Sequence, residues 1–389
     1  MINKLKVIHI HTDYKFINNS NIFIGKYFEN SIIIIEHEIP YSGPFREDST
    51  FFKNTKHDIN QIIKICKDAD LVVLYGLELI KTKIAIRLPK NVKIAWRFFG
   101  YELYAKKRNV YLSEKTKQAI KIDYLKTPFK ILKVFFRKIK TYFSLFIFSG
   151  SPNILFHRAN LRINFFLALS NEEYNHLSSF CKLPTFIKLP IRSNNCNEDA
   201  LRSILPLKHK DKLPIIIVGN SKNEFNNHFD IIDLIEQNIN KEKYNFTLLF
   251  NYGSEKKYTT VVRQKVIGKK YFKTIEDFMS IEDFKLLYKK TSALVINSYR
   301  QMAGANVLEG FKNGVKIYLN EKNVMLQWFK NEGFYIFTIE DFENDLKNNN
   351  IFLTQEEAYH NLQQLINCSK KYTIYDFQLL LYNNIKNIE

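Results

Sequence analysis

Short runs of consecutive apolar residues, rich in β-branched side chains, recur along the chain and alternate with longer stretches of helical period. In the first half the runs fall at residues 6–10, 32–35, 70–75, 92–96 and 165–169. A run without polar alternation predicts a strand covered on both faces, as in a parallel sheet flanked by helices. The spacing predicts helices near 22–29 and over 57–67, and Ser170 with Glu173 forms an N-cap pattern that opens another. The second half restarts the alternation. Strands are predicted at 214–218, 245–250, 292–296 and 316–319, helices at 229–238, 258–266, 281–290 and 303–313, and a helical C-terminal stretch.

The pattern divides the chain into an α/β domain over 1–190, a linker over 191–213 carrying Asn194 and Asn195, and a second α/β domain over 214–365. A helix over 366–389 is expected to pack back on the first domain. Two Rossmann-like domains facing each other across a cleft, with the ligand at the strand C-termini, is the GT-B architecture.

The 389 residues suit two domains, and 46% apolar content supplies two cores. Cys66, Cys181, Cys196 and Cys368 are far apart, which excludes a cysteine-rich zinc module and gives no disulfide framework. The N-terminal residues lack the apolar region of a signal peptide, and no stretch is apolar enough to span a bilayer, so a soluble or peripheral protein is expected. The formal charge of +19 calls for a polyanionic partner. Its distribution is informative: residues 105–145 hold twelve Lys or Arg against Glu114 and Asp123, with aromatic and aliphatic residues interleaved. Such a segment can lie on an anionic membrane surface. No helix-turn-helix, RNA-binding or zinc pattern accompanies the charge, so no nucleic acid is expected as partner.

Chemistry in an open parallel sheet sits just after the strands. After the first strand, Asp13 is a candidate catalytic base, with His11 a candidate acceptor contact; His9, His11 and Asp13 could alternatively hold a metal. After the strand at 92–96 come Arg97, Gly100, Tyr101 and Glu102. Arg97 suits phosphate, aromatic rings stack on sugar faces, and Glu102 is a second candidate base. In the second half, Gly219, Asn220, Ser221 and Lys222 form a small polar loop at a helix start, a phosphate site. Asn251, Tyr252 and Gly253 follow the next strand. The strongest local signal is the loop of Arg300, Gly304, Ala305 and Asn306 feeding a helix that carries Glu309. Its N-terminus suits a diphosphate, and Glu309 could accept from ribose hydroxyls.

The order of these segments resembles the 4-alpha-L-fucosyltransferase family (glycosyltransferase family 56). The pieces that carry the resemblance are the histidine-rich first strand ending at Asp13, the segment from Trp96 through Gly100 and Glu102 to Tyr104, Val218 to Ser221 with Asn227 and His228, and the small-residue helix from Gln301 to Gly314 with the strand that follows it. Glu309 is similar to the ribose-binding Glu of GT-B enzymes at large. The resemblance implies a metal-independent GT-B enzyme that takes a sugar from a nucleotide-linked donor, dTDP- or UDP-linked. It implies transfer to a lipid-linked glycan on undecaprenyl pyrophosphate in bacterial surface polysaccharide synthesis, at the cytoplasmic face of the inner membrane. The first domain would then bind the acceptor and the second the nucleotide-sugar. A soluble GT-B transferase with a different acceptor, and a non-enzymatic protein binding anionic membrane or nucleic acid, are the competing readings.

Overall fold

A computed structural model describes residues 3–36, 49–121, 152–191, 196–208 and 214–387. Of these, 3–103, 152–190 and 372–387 form one compact unit, and 104–121 with the described part of 191–371 forms the other.

The first unit is built on a parallel sheet of seven described strands: β1 (Leu5–His11), β2 (Phe28–Glu36), β3 (Ser49–Lys53), β4 (Leu71–Tyr75), β5 (Lys93–Arg97), β6 (Phe165–Ala168) and β7 (Thr185–Lys188). Their order is β3-β2-β1-β4-β5-β6-β7, so the sheet runs outward both ways from the β1/β4 pair. All five residues of β4 are buried. That is why this strand reads as an unbroken apolar run: helices cover both of its faces. On one face Leu5, Val7, Leu71, Val73 and Phe165 pack with Phe377, Leu381 and Ile385 of the C-terminal helix Ile374–Lys386. Thr373 and Asp376 start that helix with a reciprocal capping box.

The helix expected over 22–29 is not there. A 3-10 stretch, Tyr14–Phe23, precedes a turn, and Phe28 already belongs to β2, paired with Leu5. The physical reason lies in the polar residues. Ser20 Oγ bonds back to the Ile17 carbonyl at 2.7 Å, and Asn30 Nδ2 takes the Phe23 carbonyl at 3.0 Å. Such side chains compete with an α-helical ladder.

The second unit carries β8 (Ile215–Val218), β9 (Asn245–Leu249), β10 (Phe272–Ile275), β11 (Thr291–Ile296), β12 (Lys316–Leu319) and β13 (Phe337–Thr338). They are parallel in the order β10-β9-β8-β11-β12-β13, and β11 is wholly buried. Both sheets therefore have the Rossmann strand order, with the reversal at β1/β4 and at β8/β11.

Two further expectations change. The span read as linker holds the helix Glu198–Lys208, whose Leu201 and Leu205 pack on Leu353, Ala358 and Leu362. The start of the basic segment, assigned from sequence to the first domain, groups with the second unit: Ser113 caps the helix Glu114–Ile120, which packs on the helices His228–Gln237 and Lys257–Val266. The rest of that segment, residues 122–145, lies outside the described residues.

Candidate functional site

Where strand order reverses, the loops leaving neighbouring strands diverge to opposite faces and open a crevice at the strand C-termini. Each unit has one such point.

In the first unit β1 leads into Thr12 and Asp13, and β4 into Gly76. Gly76 has φ +83°. A methyl there would lie 2.7 Å from Tyr101 Oη and 3.0 Å from Glu78 Oε1, so two polar side chains close over a turn that only glycine fits. Beneath it Lys81, fully buried on the helix Leu79–Arg87, pairs with Glu78 at 2.8 Å. It also donates to Thr12 Oγ1 at 2.9 Å and to the Tyr75 carbonyl. Thr12 in turn donates to Glu78 Oε1 at 3.0 Å. Burial pulls the Lys81 pKa down, against the attraction of Glu78, Glu102 and Asp13. Burial acts to raise Glu78, but the Lys81 charge and the hydrogen bonds from Lys81 and Tyr101 outweigh it and leave the carboxyl below its usual value.

Glu102 is 93% buried, from 7% exposure. Its Oε1 accepts from Trp96 Nε1 at 3.2 Å, and its Oε2 has no hydrogen-bond partner. Burial pushes its pKa up to about 7. A carboxyl set near neutrality at a strand end has the properties of a general acid or base. Asp13 is exposed, and its charge acts, like that of Glu102, on Lys81 and Tyr101. The structure thus gathers Asp13, Tyr101 and Glu102 around the Lys81 field. His11 is buried, its ring stacked on Tyr75 at 3.8 Å. His9 serves the core: Nε2 lies 2.9 Å from Asn30 Oδ1 and Nδ1 3.2 Å from Tyr75 Oη, which leaves no ring nitrogen for a metal. Gly100 sits in the left-handed region at φ +100°. Arg97 is turned onto the sheet end. It donates to the Phe98 and Leu167 carbonyls at 2.8 and 3.4 Å and lies over the Phe99 ring, and burial pulls its pKa down to about 10.

In the second unit the loop after β8 starts at Gly219, whose N–H donates to the Val295 carbonyl of β11 at 2.9 Å. Gly219 has φ +73°, and a methyl on it would run into the ring of His228. Asn226 Nδ2 donates back to the Ser221 carbonyl at 3.0 Å, and Asn226 Oδ1 accepts the Asn220 N–H at 3.3 Å, so the loop folds on itself. A buried asparagine ladder fixes the switch point. Asn227 and Asn297 each donate to the other's carbonyl at 3.2 Å, and Asn320 Nδ2 donates to Asn297 Oδ1 at 2.7 Å. These three residues sit after β8, β11 and β12.

Arg300 is nearly buried, its guanidinium over the rings of Phe225 (4.7 Å) and Tyr104 (5.1 Å). Ala303, at φ +65°, is the N-cap of the helix Gly304–Lys312 and contributes no side-chain cap. A methyl on Gly304 would meet nothing within 4 Å. The first N–H groups of this helix therefore have no side-chain cap at Ala303, and an uncapped helix start is the arrangement that holds anions. Ala305 is exposed on that first turn. Asn306 is turned inward to Tyr288 Oη at 2.8 Å. Glu309 accepts from Asn313 Nδ2 at 3.0 Å and lies 3.7 Å from Lys312 Nζ. Lys222 is held by Glu255 at 2.6 Å and Glu276 at 3.8 Å, acids that also hold Arg263. Its backbone N–H donates to the Tyr252 carbonyl at 2.8 Å, and Gly253 (φ +105°) packs beside it; Asn251 opens the same turn.

Sequence reading missed Thr12, Glu78 and Lys81. The same post-strand rule, applied to the turn after residues 70–75, would have drawn attention to Gly76 and Glu78. Phe225, one of the two rings over which the Arg300 guanidinium lies, carried no signal.

No family model matches the chain, and no curated protein matches it. Solved structures do. A trehalose-phosphate synthase (UDP-forming) from Burkholderia vietnamiensis superposes with a TM-score of 0.65 at 7% identity, covering 99% of this chain and 100% of its own. Anabaena HepE, solved with UDP-glucose, gives 0.63 at 10% identity over 98% and 100%. Sucrose-phosphate synthase from Thermosynechococcus elongatus gives 0.62 at 10% identity over 99% of each chain. The fold is therefore GT-B: two Rossmann-like units, each on a parallel sheet.

Proposed function

We propose that the chain is a glycosyltransferase that binds a nucleotide-sugar in its second unit and passes the sugar to an acceptor hydroxyl bound by its first. The observation that carries this reading is the start of the helix Gly304–Lys312 after β11, without a side-chain cap and with space beside Gly304, in the loop that also carries Arg300. A diphosphate accepts hydrogen bonds from such N–H groups, and the helix dipole and arginine stabilise the negative charge that grows on the leaving group. Glu309, on the same helix, would accept from the ribose hydroxyls. In the first unit Glu102 or Asp13 takes the acceptor proton as the bond between the sugar's anomeric carbon and the phosphate oxygen breaks and the nucleoside diphosphate leaves. This route uses no metal. The donor is dTDP- or UDP-linked; that structures solved with UDP and UDP-glucose share the fold supports the class of ligand. The acceptor is a lipid-linked glycan on undecaprenyl pyrophosphate at the inner face of a bacterial membrane, and the basic residues of 105–145 support that location.

A thermal-shift series with UDP, dTDP, GDP and CMP and their sugars, with and without Mg²⁺, tests the reading. A ligand at a hundred times its dissociation constant stabilises by about 2.7 kcal/mol. A rise in melting temperature with UDP or dTDP and no metal is expected. Well-folded protein that responds to no nucleotide would remove it.

A further inference from the structure

His228 opens the helix His228–Gln237 and is fully buried. Its partners fix which ring nitrogen carries the proton. Tyr258 Oη lies 2.9 Å from the His228 backbone nitrogen and 2.8 Å from Nδ1. A backbone N–H can only donate, so the phenol oxygen accepts it. Tyr258 makes no other hydrogen bond among the described residues, so its own proton goes to Nδ1. Nδ1 is then an acceptor. The ring is neutral, since burial pulls its pKa down to about 3, and its one proton is on Nε2.

That Nε2–H is buried and has no hydrogen-bond partner. An orphaned buried donor is costly and uncommon enough to call for a ligand or a function. Its position supplies one. The Nε2 edge lies against Gly219, in the space a side chain there would occupy. Gly219 is the first residue after β8 at the β8/β11 reversal, the point of a Rossmann sheet at which ligands bind. The N-cap of the helix behind it, Asn227, gives no side-chain cap.

We propose that His228 is a ligand-binding residue whose Nε2–H donates to a phosphate oxygen of the nucleoside diphosphate at the Gly219 turn. Tyr258 is its positioning residue: it holds the imidazole in the donating tautomer. Gly219 is glycine both for its backbone angle and because the imidazole needs the room. The inference rests on the nucleotide-sugar reading above.

The test is calorimetric titration of UDP and dTDP into the wild-type chain and into His228→Asn, His228→Gln and Tyr258→Phe, with ¹⁵N NMR of the histidine rings. Loss of one hydrogen bond to a charged oxygen lowers affinity by roughly ten- to a hundredfold, and that is expected of His228→Asn. His228→Gln, whose amide N–H reaches further, recovers part of it. Tyr258→Phe keeps the ring, frees the tautomer and weakens binding by less than His228→Asn does. The wild-type His228 shows the Nε2-protonated pattern, and its Nε2 resonance moves when UDP is added. Folded His228→Asn that binds UDP as well as wild type overturns the proposal. So does an Nε2 resonance indifferent to UDP, a result that stands even if the variants fail to fold. Wild-type protein that binds neither diphosphate removes the nucleotide-sugar reading and this inference with it. Wild-type binding with His228 unaffected removes only this inference.

Discussion

Glu102 is where the first unit stores a conflict. Its carboxyl is buried, accepts a hydrogen bond from Trp96 and lies within reach of the charges of Glu78 and Lys81. Unfolded, it has the ordinary value of 4.5; folded, about 7. Between these pH values the folded chain holds a proton that the unfolded chain has released. The contribution to stability is therefore complete below pH 4.5, is lost as the pH rises toward 7, and stays lost above. Glu102→Gln keeps the shape and removes the ionisation. At pH 8 it is expected to be more stable than wild type by at most about 3 kcal/mol, with the gap closing toward pH 4.5, as urea unfolding at several pH values measures. If Glu102 is the base, the same variant loses turnover while it gains stability, and intact turnover would pass that role to Asp13. Glu102 was legible in the sequence as an acid just past a strand. Lys81 was not, because nothing in a lysine's neighbours along the chain says that helix packing will take it out of water. Only the sheet order brings Thr12, Glu78 and Lys81 to one point.

At the scale of elements, the strands were legible wherever both faces are covered, as in β4 and β11. The short edge strands β3, β10 and β13 were not, since a strand of two to five half-exposed residues has no run to read. The helix Glu198–Lys208 escaped for another reason: flanking asparagines and Pro206 inside it look like linker. Yet Leu201 and Leu205 form a buried stripe one turn apart. They also crowd the left-handed turn at Gly314, where a methyl would lie 2.7 Å from Leu205. Leu201→Ala should cost about 2–4 kcal/mol in urea unfolding, the range for emptying a packed leucine site. A true linker residue would change stability by no more than about 0.5 kcal/mol. The two outcomes differ enough for one measurement to decide whether this helix is part of the second unit's core.

For the molecule as a whole the open question is its charge of +19. Part of the basic segment is spent inside the fold. Arg108 pairs with Glu224 at 2.5 Å, Lys115 with Asp233 and Lys117 with Glu114, so these cations are partly neutralised within the second unit. Substituting them would disturb packing as much as any surface interaction. The informative set is Lys126, Lys130, Lys133, Arg137, Lys138 and Lys140, interleaved with Phe129, Phe135 and Phe136. Each cation near an anionic bilayer contributes roughly 1 kcal/mol, so six suffice for reversible attachment without any spanning helix, and among the described residues no helix is long and apolar enough to cross a membrane. The full chain is expected to float with phosphatidylglycerol-containing vesicles, to stay behind with neutral ones, and to be released as salt shortens the range of the attraction. The variant with all six changed to Gln should stay behind with both while keeping the nucleotide response of the wild type, because none of the six is among the residues proposed to bind the donor. Flotation that survives the six substitutions would place the membrane contact elsewhere. A wild-type chain that floats with neither vesicle would leave the acceptor to be sought among soluble glycans.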